Sequence, residues 1–218
     1  MGLTGDEVRA WFESAGEGFV AAVTQVGDDA WARPGLGEWD VRALVGHTSR
    51  AFLTVESYLV VPSGDPASDA ALSDGPVLRP ITVVDYYARA RQTAAGPDVA
   101  ARGRAAGAAL GPVPLDEVRA IRDRVVALVA DSPDDAPVRS PFGDLELIDY
   151  LQTRAFELTV HGLDLVRALG IEAPEGLRAA VPPALVLAAR LTVDVGGGAT
   201  LLALLTGRPA GAPLPRIV

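Results

Sequence analysis

Leu145–Gly170, LELIDYLQTRAFELTVHGLDLVRALG, repeats its apolar residues on a helical period. Leu147, Ile148, Leu151, Ala155, Leu158, Leu165, Val166 and Leu169 fall on one stripe, which predicts an amphipathic helix. Asp144 is the expected N-cap, and Gly170, with Pro174 shortly beyond, is the expected stop. The polar residues of the same run are also in phase. Arg154, Glu157, His161 and Asp164 follow at steps of three, four and three, so they share one helix face. Glu157 and His161, one turn apart, can grip a single ion from the same side, and zinc accepts both imidazole nitrogen and carboxylate oxygen.

The chain has one other histidine, His47. It lies in a second amphipathic run, with Asp40 as expected cap and Val41, Leu44, Val45, Phe52 and Val55 on the apolar face. His47, Glu157 and His161 together make a two-histidine, one-carboxylate set. Three protein ligands leave a fourth position open, which is the arrangement of catalytic rather than structural zinc. The same residues also fit a quieter role, since a histidine beside an apolar face often serves the core and acid–base pairs one turn apart are ordinary helix stabilisers.

Composition narrows the classes. The chain has 218 residues, 49% of them hydrophobic, enough for one packed core. A net charge of −9 and the lack of any arginine stripe argue against nucleic acid as a partner. Cysteine is absent, so metal chemistry rests on carboxylate and imidazole, and any thiol must come from outside. The N-terminus carries acids and no long apolar core, unlike a secretory signal. The apolar tail from Val181 to Thr206 is broken by Pro182, Pro183, Arg190, Asp194 and three glycines, so no membrane span is expected there and the expected location is the cytoplasm. All 19 basic residues are arginine, a trait of GC-rich genomes.

Taken in order, Thr4 to Asp28 reads as a first helix, with Thr4 capping and Glu7 completing a capping box. Asp29–Glu38 is a Pro/Gly loop flanked by Trp31 and Trp39, which either staple the turn or line a pocket. Val60–Pro80 is a long irregular connection, expected to act as a lid over one end of the bundle. Ile81 to Gly111 should be helical with a break at Gly96-Pro97 and an exposed second half. Leu115–Ala130 is a clean helix, Val138–Ser140 a short extended piece, and Pro182–Val195 and Thr200–Leu205 two shorter helices. Strand signals are otherwise nearly absent. The expectation is an all-α four-helix bundle over residues 1–170 with a helical extension over 171–218 packed on it.

WARPGLGEWDVRALVGHTSR (31–50), PFGDLELIDYLQTRAFELTVHGLDLVRALG (141–170) and LLALLTGRPAGAPLP (201–215) resemble the mycothiol-dependent maleylpyruvate isomerase family of DinB-like metal-binding bundles. The resemblance rests on W-x7-H followed by R-x2-E-x3-H-G-x-D-L. It implies that His47, Glu157 and His161 are metal ligands, normally for zinc, and that the open position takes a low-molecular-weight thiol such as mycothiol. A coordinated thiol is deprotonated by the cation, giving a nucleophile for isomerisation or S-transfer on a small electrophile. Family isomerases carry a larger C-terminal domain than residues 171–218 supply, so it is the metal-plus-thiol chemistry, rather than maleylpyruvate as substrate, that the resemblance implies.

Roles for the neighbours follow. Arg154 is either a bidentate grip for a substrate or cofactor carboxylate or the ion-pair partner of a nearby acid. Asp164 is placed to accept the second ring N–H of His161 and fix its tautomer. Arg50, one turn after His47, offers positive charge for the cofactor at the pocket mouth, and Arg208 sits at a helix end. Tyr58, Tyr86 and Tyr87 are available donors that no spacing ties to the site. Against the enzyme stands a non-catalytic bundle that binds a small molecule or is merely stabilised by metal. No third histidine or cysteine exists to close the site, which favours the enzyme, with monomer and homodimer both compatible.

Overall fold

The computed structural model describes residues 2–60, 80–93 and 97–217. The expected lid, Val60–Pro80, lies almost wholly outside the described residues. The chain is dominated by helices: α1 Gly5–Val23, α2 Val41–Tyr58, α3 Val83–Thr93, α4 Pro97–Ala109, α5 Pro114–Ala130, α6 Leu147–Leu169, α7 Glu175–Asp194 and α8 Gly198–Leu205. Two small antiparallel hairpins interrupt them, β1 Pro34–Leu36 with β2 Trp39–Asp40, and β3 Pro137–Ser140 with β4 Gly143–Glu146.

Local chemistry sets the helix starts. Thr4 and Glu7 form the reciprocal capping box, and Asp40 accepts from the Ala43 amide at the start of α2. Helix α1 stops at Val23 rather than Asp28, because the next amides tighten into i→i+3 bonds, Gln25 to Ala22 and Val26 to Val23. Helix α6 starts at Leu147, with Glu146 rather than Asp144 at the cap position. Asp144 is instead paired across the hairpin with Arg139, and Val138 and Leu145 turn inward together, 0% and 1% exposed. Hairpin pairing thus takes four residues ahead of the helix. At its far end α6 stops at Gly170, whose φ of 67° is the left-handed cap that glycine supplies.

The core is one cluster of side chains from α1, α2, α5, α6 and α7, centred on Phe12, Phe19, Phe52, Leu44, Leu151 and Leu158, all fully buried. Helix α7 is continuous from Glu175, although Pro182-Pro183 was expected to mark a helix start. Each proline removes an N–H that would reach back four residues. The carbonyls left without a donor belong to Arg178 and Ala179, which are exposed to water. By length and mean hydropathy α7 also passes for a membrane-crossing helix, yet Leu177, Ala180, Ala184, Leu187 and Leu191 are buried against the bundle. Helix α4 is exposed along most of its surface, as expected, but its glycine edge lies hard against α2. A Cβ on Gly46 would fall 2.1 Å from the Gly107 amide nitrogen, so the two helices meet backbone to backbone just beside His47.

Candidate metal centre

Helix α2 delivers His47 and helix α6 delivers Glu157 and His161 to the same point. One ligand atom from each of the three lies within 4.8 Å of the other two. The imidazoles of His47 and His161 stand nearly perpendicular, 84° apart, with ring centres separated by 4.9 Å. Glu157 Oε2 is 3.3 Å from His161 Nε2.

Each of these side chains is gripped from behind. Asp164 Oδ2 lies 3.2 Å from His161 Nδ1, and its other oxygen accepts from Arg167 at 2.6 Å. Asp164 thus occupies Nδ1 and turns Nε2 toward Glu157. Glu157 Oε1 accepts from the Tyr87 hydroxyl at 3.3 Å. The ring of His47 is covered by Trp39, with centroids 4.3 Å apart and planes inclined by 33°. Trp39 is itself fixed by α4: its indole N–H donates to the Ala100 carbonyl at 3.1 Å, and a Cβ on Gly103 would come within 2.5 Å of the indole. His47 Nδ1 is buried and has no hydrogen-bond partner among the described residues.

Electrostatics divide the two histidines. Burial, reinforced by the positive charge of His161, pushes His47 down to about 4, so it is neutral at neutral pH. Burial acts the same way on His161, but the hydrogen bonds to Asp164 and Glu157 outweigh it and push the ring up to about 9. For Glu157, burial favours the protonated acid, yet His161, Arg154 and His47 overcome it and hold the carboxyl down to about 2. The cluster without an ion therefore holds a proton on His161, between two carboxylates.

Arg154 is only 9% exposed. Its guanidinium lies over the Tyr150 ring at 4.9 Å and the Tyr86 ring at 5.6 Å, and its N–H groups donate to Tyr86 (2.9 Å), Thr153 (2.9 Å) and Thr54 (3.4 Å). All of these partners are neutral, and among the described residues it forms no ion pair. Arg50 is half-buried on the His47 side and acts on that ring through its charge. Arg208 is exposed just past the end of α8, away from the cluster's helices, with its amide donating to Ala203.

Two neighbours of the cluster, Trp39 and Tyr87, are legible in the sequence without being assigned to the metal ligands. Trp39 is readable only as a loop tryptophan, although W-x7-H spacing carries it in step with His47. Tyr87 is readable only as one of three available tyrosine donors that no spacing ties to the site, because α3 reaches Glu157 only through the fold. The family model for the mycothiol maleylpyruvate isomerase N-terminal domain matches residues 12–166, from within the first helix into the last turn of the ligand helix. The chain belongs to that family. No curated protein and no solved structure matches the chain. The mycothiol maleylpyruvate isomerase match covers α2 whole and all but the last three residues of α6, and with them His47, Glu157 and His161.

Proposed function

We propose that this protein is a divalent-metal enzyme, with zinc as the expected ion, that uses a low-molecular-weight thiol such as mycothiol to isomerise a small electrophile or transfer sulfur to it. The observation that carries the reading is the convergence of His47, Glu157 and His161 from two helices, within 4.8 Å of one another, inside a chain of this family. The donor set fits the ion: two imidazoles and one carboxylate are what zinc takes when one position stays open, and His47 has a buried nitrogen with no partner. When bound, a divalent cation supplies a Lewis-acidic position at which a thiol loses its proton at neutral pH.

The chain's own residues set up that position. Asp164 holds Nδ1 of His161 and so presents Nε2 to the ion, while Glu157 stays ionised and His47 stays neutral, both as ligation requires. We assign Arg154 to Glu157 rather than to a direct grip on substrate: its charge, with no ion-pair partner among the described residues, adds to that of His161 in keeping Glu157 in the carboxylate form. Arg50 is assigned to an anionic group of the thiol, at the edge of the His47 side. With no cysteine in the sequence, the nucleophilic sulfur is the cofactor's.

Metal content by mass spectrometry, on wild type and His47→Ala after zinc loading, tests the reading. One zinc per chain in the wild type and none in the variant is the expected result, followed by thiol binding only to the zinc form. No metal in either protein overturns it.

A further inference from the structure

The two oxygens of Glu157 have different neighbours. Oε2 faces His161 Nε2 at 3.3 Å, whereas Oε1 accepts a hydrogen bond from the Tyr87 hydroxyl at 3.3 Å. Tyr87 is 2% exposed on α3, and its ring is wedged edge-on against Tyr86 (5.5 Å) and Phe156 (5.8 Å), so the phenol cannot swing away. Among the described residues its single proton has one other acceptor, the Thr153 carbonyl at 3.2 Å on α6. Both acceptors anchor the hydroxyl at the same spot.

A carboxylate can bind a cation through one oxygen or through both, and two-oxygen binding fills a position that a thiol would need. We propose that Tyr87 is a positioning residue that occupies Oε1 and confines Glu157 to one-oxygen ligation, which keeps a coordination position free. The proposal rests on the metal reading above. Tyr86, the preceding residue, serves as the internal control, because its hydroxyl accepts from Arg154 and does not touch Glu157.

Cobalt(II), whose visible absorption is intense in low-coordinate sites and weak in higher-coordinate ones, reports the difference directly. Wild type, Tyr87→Phe and Tyr86→Phe are titrated with cobalt, with circular dichroism as the check on folding. The expected result is an intense band in wild type and Tyr86→Phe, and in Tyr87→Phe a weaker band with affinity lowered about tenfold. A Tyr87→Phe spectrum and affinity equal to wild type overturn the proposal while leaving the metal reading intact. Failure of the wild type to bind cobalt or zinc overturns the metal reading itself, and the proposal with it. Should Tyr87→Phe not fold, X-ray absorption on zinc-loaded wild type decides: a carboxylate bound through one oxygen is expected, and one bound through two overturns the proposal.

Discussion

The indole of Trp39 covers the imidazole of His47, ring centres 4.3 Å apart and planes inclined by 33°, and is pinned there by Ala100 and Gly103 of α4. The indole packs on the His47 ring and so restricts its rotamer. Trp39→Ala should leave the helical content intact and weaken zinc binding about tenfold, as loss of an outer support for a ligand does. A competition titration against a zinc indicator, beside circular dichroism, measures both.

Zinc uptake should expel a proton. With His161 held up to about 9 by Asp164 and Glu157, its ring is charged at pH 7 and must lose that proton to ligate. About one proton per zinc is expected at pH 7, falling toward zero above pH 9, with affinity rising over the same range. Calorimetry in buffers of different ionisation enthalpy reads the number.

The metal-free protein should show the same group in its stability. The folded pKa of His161, about 9, lies above the ordinary 6.5, so its contribution is complete below 6.5 and is lost as pH climbs toward 9. His47 behaves oppositely: held down to about 4, it contributes above 6.5 and costs stability as pH falls from 6.5 to about 4. Denaturant titrations in chelator should therefore show the stability gap between wild type and His161→Gln closing between pH 6.5 and 9.

Gly46→Ala would drive a methyl group to 2.1 Å from the Gly107 amide nitrogen, a backbone atom that cannot rotate away. Helices α2 and α4 would have to separate, at a cost of about 1–3 kcal/mol. The displacement starts one residue from His47, so urea midpoint and zinc affinity should fall together. Gly170→Ala, far from the site at the end of α6, should lower stability through its positive φ without touching affinity.

Much of the helical plan is local chemistry and is written in the sequence. The capping box of Thr4 and Glu7, the cap at Asp40, the apolar stripes of α1, α2 and α6 and the stop at Gly170 depend on residues three or four apart. The order Arg154, Glu157, His161, Asp164 likewise fixed a shared helix face, because a helix converts spacing directly into direction. Of hairpin β3–β4 only the extended piece at Val138–Ser140 was legible; its second strand was hidden, since the pairing of Asp144 with Arg139 overrode a good N-cap residue. The continuity of α7 through two prolines was hidden for a similar reason: burial of Leu177, Leu187 and Leu191 outweighs the lost backbone bonds. What the tertiary structure alone decided is the meeting of α2 with α6, more than a hundred residues apart in sequence, and the approach of α3 and α4 behind the site. Only side chains packed across helices can set the 4.8 Å cluster, seat Trp39 on His47 and aim the Tyr87 hydroxyl at Glu157.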